Sequence, residues 1–289
     1  MQIVKTIAQV RELRRQTSSS VGFVPTMGYL HQGHLALVRQ AREENSIVVV
    51  SIYVNPTQFG PREDLAAYPR DLNRDLKLLG EGNADIVFVP SDEEMYPPGF
   101  SSWVNVEKGT QFLEGASRPG HFKGVATVVA KLFNIVQATR AYFGQKDAQQ
   151  VIVIKRMVAD LNMNIEIVVV PTLRESNGLA MSSRNIYLNQ EERQAATILF
   201  KALTLARQAW QSGEKDADKI RREMTLLIRK EPLAQIDYIS IADAKTLEEL
   251  NVLDRPGLAS LAVRIGKTKL IDNILLEDVT GGYPLGANG

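Results

Sequence analysis

Cysteine is absent from the 289-residue chain. That excludes disulfide staples, thiolate nucleophiles and Cys-ligated zinc or iron–sulfur centres, and it fits a reducing compartment. An excess of charge is lacking too. Thirty-four Lys and Arg stand against 33 Asp and Glu, a formal +1. Such a balance opposes life on bulk nucleic acid or an anionic membrane, although a local basic patch survives it. Nor is any apolar run long: Ile47–Val54 falls far short of the ~20 residues that a bilayer span requires. The opening MQIVKTIAQVRELRRQ has no unbroken apolar core and no small-residue cleavage site, so it does not read as a secretory signal. Its arginines would suit a transit peptide, but Glu12 and a strand-like start weigh against one. A soluble cytoplasmic protein is the expectation. With 44% hydrophobic and 23% charged residues, 12 prolines and 20 glycines, the chain is globular rather than fibrous or disordered.

What is present is alternation. The N-terminus reads as a short strand running into an amphipathic helix. Val21–Pro25 reads as a strand, Gly33–Glu44 as a helix, and Ile47–Val54 (IVVVSIYV) as a fully buried strand. Pro69–Leu79 and Phe122–Val136 carry helical stripes, with strands at Asp85–Pro90 and Ala141–Phe143. A helix at Ala148–Leu161 and a strand at Ile165–Val170 follow. Buried strands alternating with helices predict the α/β class, a Rossmann-like doubly wound parallel sheet covered on both faces. From about Leu188 the texture changes to polar helices at Gln190–Ser212 and Asp216–Lys230. Three short strands come next, at Ile236–Ile241, Ala259–Ile265 and Lys269–Ile274, the last two joined by a tight Gly266–Lys267 turn. The expected division is therefore a sheet domain over 1–180 and a smaller C-terminal α+β domain over 181–289. The glycine-rich tail, Gly281–Gly289, has little to bury and should be loose.

Chemistry concentrates where strands hand over to helices. Pro25-Thr26-Met27-Gly28-Tyr29-Leu30-His31-Gln32-Gly33-His34 lies between the first strong strand and its helix, at the strand end where open α/β sheets bind ligands. The free N–H groups of a helix start favour phosphate, and two imidazoles at i and i+3 add donors beside a glycine that leaves the backbone open. His31 and His34 are thus candidates to grip triphosphate oxygens. Two surface histidines at a helix start is the bland alternative, and a zinc pair is a third, although no further ligand stands nearby. Gly178–Asn185 (GLAMSSRN) offers two hydroxyls and a guanidinium, which can wrap a triphosphate or merely cap a helix. In Phe143–Gln150 (FGQKDAQQ), Gly144 permits close approach and Lys146 supplies a point charge. Asp147 and Gln150 there also fit a capping box. Asn55-Pro56 reads only as a turn, but Gln58 could orient a hydroxy acid without a buried charge. Arg118 and Lys123, in the loop Leu113–Gly124, are candidates for anion contact.

The first and second of these motifs together resemble the signatures of the nucleotidylyl-transferring α/β superfamily that includes class I aminoacyl-tRNA synthetases. All of them, in this order, resemble the pantoate–β-alanine ligase family: PTMGYLHQGH, VNPTQF, EGASRPGHFKGV, FGQKDAQQ and GLAMSSRN, with a late KLIDN. The resemblance implies ATP-dependent condensation of pantoate with β-alanine to pantothenate through a pantoyl-adenylate, releasing AMP and pyrophosphate. Catalysis would fall to His34, His31 and Lys146. Met27, Gly28, Tyr29, Leu30, His31, Gln32, Gly33, His34, Gly144, Gln145, Lys146, Asp147, Leu173 (through its backbone), Met181, Ser182, Ser183 and Arg184 would bind ATP. Gln58 and Gln150 would bind pantoate, and Gln58 also β-alanine. It further implies Mg²⁺ held mostly by ATP and water, its protein ligands unknown, with Asp75 as an outer contact. The C-terminal domain would act as a lid, the copies would pair as a homodimer, and neither nucleic acid nor a membrane would be a partner.

Overall fold

The computed structural model describes residues 1–61 and 63–277; the expected loose tail, Gly281–Gly289, lies outside them. The chain divides into two compact units, residues 1–187 and the remainder from Leu188. In the first unit the order is β1 (Gln2–Val4), α1 (Ile7–Arg15), β2 (Val21–Thr26), α2 (Gln32–Glu44), β3 (Ile47–Ile52), α3 (Leu72–Glu81) and β4 (Ile86–Phe88). After it come α4 (Asp92–Met95), α5 (Leu113–Ser117), α6 (His121–Val136), β5 (Arg140–Gly144), α7 (Ala148–Asp160) and β6 (Glu166–Val170). The strands form one sheet ordered β1-β4-β3-β2-β5-β6, and every pairing in it is parallel.

Strand periodicity decides which helix covers which face, because successive side chains point to opposite sides. Phe23, Val49, Phe88, Ala141 and Phe143 join one core with α1, α6 and α7. Their strand neighbours Val24, Val48, Val50, Val87 and Tyr142 join a second core with α2 and α3. Both faces are thus sealed, and near-continuous β-branched runs such as IVVVSI are what a two-sided strand requires. From β2 the chain winds outward through β3 to β4, whereas β5 returns to the other flank of β2. The carboxyl ends of β2 and β5 therefore border the point at which the winding reverses, where such sheets leave a crevice.

The second unit holds α8 (Gln190–Ala195), α9 (Thr197–Gln211), α10 (Ala217–Ile228) and an antiparallel sheet β7-β8-β9 of Ala234–Asp243, Gly257–Ile265 and Thr268–Leu276. Gly266, at φ +56, makes the β8–β9 turn. Where one helix was expected over 190–212 there are two. Thr197 at the joint donates its hydroxyl to the Gln194 carbonyl at 2.8 Å, competing with the helical ladder. The α/β class, with a doubly wound sheet and a smaller α+β unit, is what the chain builds. Its division follows Tyr187 rather than residue 180 because the intervening residues are tied into the first unit. Ser183 Oγ donates to the Tyr29 carbonyl at 3.2 Å, and Tyr187 Oη to that of Ala67 at 2.9 Å.

Candidate active site

At the end of β2 the backbone turns through two left-handed residues, Gly28 (φ +79) and Tyr29 (φ +50). What holds this turn is Asp75 on α3, only 1% exposed. Its two carboxylate oxygens accept the N–H groups of Tyr29 and Leu30, each at 2.7 Å. Burial raises the Asp75 carboxyl above the ordinary range, and the two amides partly offset it. Sequence reading placed Asp75 only as an outer metal contact, yet both of its oxygens serve the backbone. Arg74 lies over the Tyr29 ring, 5.1 Å from its centroid. The Leu30 side chain is sealed in the core, so Leu30 meets the site only through its backbone.

The two imidazoles that follow cap α2 reciprocally. His31, the N-cap, accepts from Gly33 N at its Nδ1 (3.1 Å), and His34 Nδ1 accepts from His31 N (3.3 Å). Their ring centroids are 4.0 Å apart. Burial pushes His31 down to about 4, and the charges of Lys146 and Arg74 add to this against Asp147. His34 is held well below its usual range by burial first, then by His31 and Lys146. Both rings are therefore neutral at pH 7, and since both Nδ1 atoms accept, the proton of each sits on Nε2. The helix start thus presents two neutral N–H donors. Gly33 has a reason other than the expected open backbone: a Cβ there would lie 2.8 Å from His31 Cε1, so the missing side chain makes room for the cap itself.

The depressed titration carries a stability consequence. A histidine that stays neutral when folded but can protonate when unfolded contributes in full above about pH 6.5 and loses its contribution as the pH falls towards 4. Unfolding free energy should drop by up to about 1.4 kcal/mol per pH unit for His31 across that window. His31→Asn keeps a capping acceptor and removes the titration. Urea unfolding at pH 7 and 5.5 should show a shallower pH dependence in that variant.

On the other side of the crevice, Gly144 ends β5, and a Cβ on it would meet nothing within 4 Å. Its bareness serves open space rather than packing. Lys146 follows in a 3-10 turn, close enough for its charge to depress both imidazoles. Asp147 does not form the expected capping box with Gln150: its side chain makes no cap bond and instead accepts from Lys146 Nζ at 3.4 Å. The cation next door outcompetes a helix N–H. Gln145 is half-buried beside them. Gln150, also half-buried, stands in the first turn of α7, and its amide makes no hydrogen bond among the described residues.

A small hairpin delivers the hydroxyl-rich segment. Met181 N donates to the Leu173 carbonyl at 3.0 Å and Glu175 N to that of Leu179 at 2.8 Å, around a turn closed at Gly178. Leu173 is itself exposed, so it meets the hairpin through its backbone. Met181 Cβ comes to 3.8 Å from the position a Cβ would take on Gly33. Ser183 is buried against Tyr29, and Ser182 Oγ accepts from Arg184 N at 3.3 Å. Arg184 is already paired, fork to fork, with Asp64 at 3.0 and 3.1 Å. The loop with two hydroxyls and a guanidinium thus packs directly on the turn that carries the histidines, at whose helix start Gln32 is solvent-exposed.

Gln58 is 8% exposed and oriented from both ends. Its Oε1 accepts from Asn55 Nδ2 at 3.1 Å, and its Nε2 points at Met27 Sδ at 3.4 Å. Asn55, read from sequence as a turn residue and no more, is the pivot. It donates also to the Gly124 carbonyl (3.2 Å) and accepts from Tyr96 Oη (2.9 Å). A Cβ on Gly124 would run into the Thr57 carbonyl, so that glycine lets α6 seat against the turn. Two expected anion contacts are otherwise engaged: Arg118 pairs with Glu63, and Lys123 Nζ sits over the Trp103 ring at 5.0 Å. No group of three or more His, Asp or Glu among the described residues could hold a metal ion.

A family model described as pantoate-beta-alanine ligase matches residues 2–275. A Herpetosiphon aurantiacus protein named pantothenate synthetase is 60% identical over 277 residues, covering 96% of this chain and 100% of that protein. Among solved structures, pantothenate synthetase from Thermus thermophilus matches with a TM-score of 0.92 at 48% identity, over 96% of this chain and 100% of that one. Pantoate-beta-alanine ligase from Francisella tularensis, solved with βγ ATP and β-alanine, matches with a TM-score of 0.79 at 36% identity, over 96% and 98% of the two chains.

Proposed function

The chain belongs to the pantoate-beta-alanine ligase family, and we propose that His31, His34, Lys146 and Arg184 act on the triphosphate of ATP while Gln58 and Gln150 hold pantoate. It is an enzyme that joins pantoate to β-alanine at the expense of ATP, forming pantothenate. In the proposed first step a pantoate carboxylate oxygen bonds to the α-phosphorus and the bond to pyrophosphate breaks. In the second, the β-alanine amine attacks the carbonyl of the pantoyl-adenylate, and AMP leaves. The observation that carries this reading is the contact of Ser183 with the Tyr29 carbonyl at 3.2 Å. It brings the hydroxyl and guanidinium loop onto the imidazole turn at the reversal point of the sheet.

Adenylyl transfer asks a protein for position and charge stabilisation rather than a covalent nucleophile. Two neutral imidazoles suit that task. Their Nε2–H groups donate to oxygens whose negative charge grows in the transition state, and no ring proton need be lost. Lys146 adds a point charge and Arg184 a fork, once triphosphate oxygens replace Asp64 on its guanidinium. Met27, Gly28, Tyr29, Gln32 and Gly33 line the nucleotide together with Leu30 through its backbone. Gly144, Gln145 and Asp147 line it opposite, with Leu173 at the adenine, Met181 beside Gly33, and Ser182 and Ser183 at the phosphates. Gln58, whose neutral amide both donates and accepts, serves pantoate and then β-alanine.

Mg²⁺ belongs to the proposal as a companion of ATP that neutralises phosphate charge when bound. Asp75 does not suit it as a ligand, since both oxygens already accept amides. A homodimer and a lid role for the second unit rest on the sequence resemblance, and a cytoplasmic location on the sequence pattern of the chain. The test is an omission series. With ATP, Mg²⁺, pantoate and β-alanine present, AMP should accumulate, and leaving out any one should abolish it. Pyrophosphate should exchange into ATP with pantoate alone. A stable nucleotidylated product would instead assign a nucleotidyltransferase.

A further inference from the structure

Gln58 is held by its main chain as firmly as by its side chain, and the groups that hold the main chain have no part in the reaction described above. The Gln58 carbonyl faces His121 Nδ1 at 2.8 Å and Arg118 Nη2 at 3.4 Å. His121, at the start of α6, is 9% exposed. Its other nitrogen, Nε2, lies 3.2 Å from Arg118 Nη1. A carbonyl oxygen can only accept and a guanidinium can only donate. The ring therefore carries its proton on Nδ1, donates it to Gln58 and accepts from Arg118 at Nε2. Arg118 is fixed in turn by Glu63, whose Oε1 accepts from its Nε at 2.9 Å and whose Oε2 takes its Nη2. The chain of bonds runs from a carboxylate through a guanidinium and an imidazole to one backbone oxygen.

This arrangement has one evident output. The Asn55 network sets the Gln58 amide by its rotamer, whereas the His121 network sets where the residue's backbone stands. Both are needed to hold an amide to within the fraction of an ångström that substrate positioning demands. We propose that His121, braced by Arg118 and Glu63, is a positioning residue for pantoate that acts by donating Nδ1–H to the Gln58 carbonyl. The inference rests on the assignment of Gln58 to pantoate. It adds that the acid half of the site is governed separately from the nucleotide half, which is organised by Asp75 on α3.

Pyrophosphate exchange into ATP, with pantoate and ATP varied independently, reads the two halves apart. His121→Ala removes the donor and should raise the pantoate KM roughly tenfold, the worth of about one buried hydrogen bond, with the ATP KM within twofold of wild type. His121→Asn places an amide N–H near the former Nδ1 and should recover most of the loss. Glu63→Gln loosens the brace from its outer end, and a smaller rise in the same constant is expected even if His121→Ala does not fold. Gln58→Ala is the control for the underlying assignment. An unchanged pantoate KM in Gln58→Ala overturns that assignment and the proposal with it. Where Gln58→Ala is impaired, the proposal alone is overturned by an unchanged pantoate KM in His121→Ala, by an equal rise in both constants, or by failure of asparagine to rescue.

Discussion

His34→Ala should slow adenylate formation by on the order of 10²–10³-fold, as the loss of one preorganised donor does in other charge-developing reactions. The protein should remain folded, because the alanine removes one acceptor from a helix cap and opens no large cavity in either core. The neutral ring is what makes the effect large. Its Nδ1 faces the His31 amide at 3.3 Å, which directs Nε2–H outward, and burial together with His31 and Lys146 keeps a second proton off. Side-chain length then separates the two jobs. Glutamine can carry an N–H to about the position of Nε2, whereas asparagine reaches only to that of Nδ1. His34→Gln should therefore retain more activity than His34→Asn, and His34→Asn more of the cap. Single-turnover pyrophosphate release is the measurement, with thermal unfolding alongside. A His34→Ala rate within a few-fold of wild type would remove the ring from the chemistry. Lys146→Ala should fall in the same range, since the proposed role directs its charge at the same oxygens and it lies close enough to depress both imidazoles.

The fold was legible because its sheet is buried on both faces. A strand sealed on two sides must be continuously apolar, so IVVVSI announces itself, and helices between such strands leave a parallel sheet as the outcome. What could not be read was anything decided by one hydrogen bond against another. The break in the 190–212 helix is a contest at Thr197, and the short helix α5 lies inside a glycine-rich stretch with no apolar period of its own. The division after Tyr187 is decided by contacts that Ser183 and Tyr187 make far away along the chain.

The segments that make up the candidate site were legible to the same degree and for a related reason. Motif residues lie at strand ends, where periodicity stops and unusual side chains stand out: His31, His34, Gly144, Lys146 and Gln58 were visible there. Their supports were not. Asn55 was hidden by the proline after it, and His121 by a loop-like context. Asp75 was hidden as one carboxylate among several on an amphipathic helix. Arg184, Asp147 and Gly33 were visible, but their present partners (Asp64, Lys146 and the His31 ring) are set by spatial proximity that spacing does not record.

Asp75→Ala should be the most damaging single change outside the residues proposed to contact phosphate, and by a different route. Alanine would leave the buried amides of Tyr29 and Leu30 without acceptors, each worth about 1–3 kcal/mol. The same loss frees two left-handed residues, Gly28 and Tyr29, immediately before the histidine cap. A shift of about 1 Å in that turn suffices for a roughly 100-fold loss of rate. Stability and adenylation should therefore fall together in Asp75→Ala, whereas His34→Ala loses rate at the smaller stability cost of one cap acceptor. Asp75→Asn retains one oxygen for one amide but turns an NH₂ group towards the other, and should lie between wild type and alanine on both measures. Urea unfolding and single-turnover kinetics on the same three proteins test this. A full-rate, full-stability Asp75→Asn protein would mean that one of the two amide contacts is dispensable, and the carboxylate would no longer be the clamp of the turn.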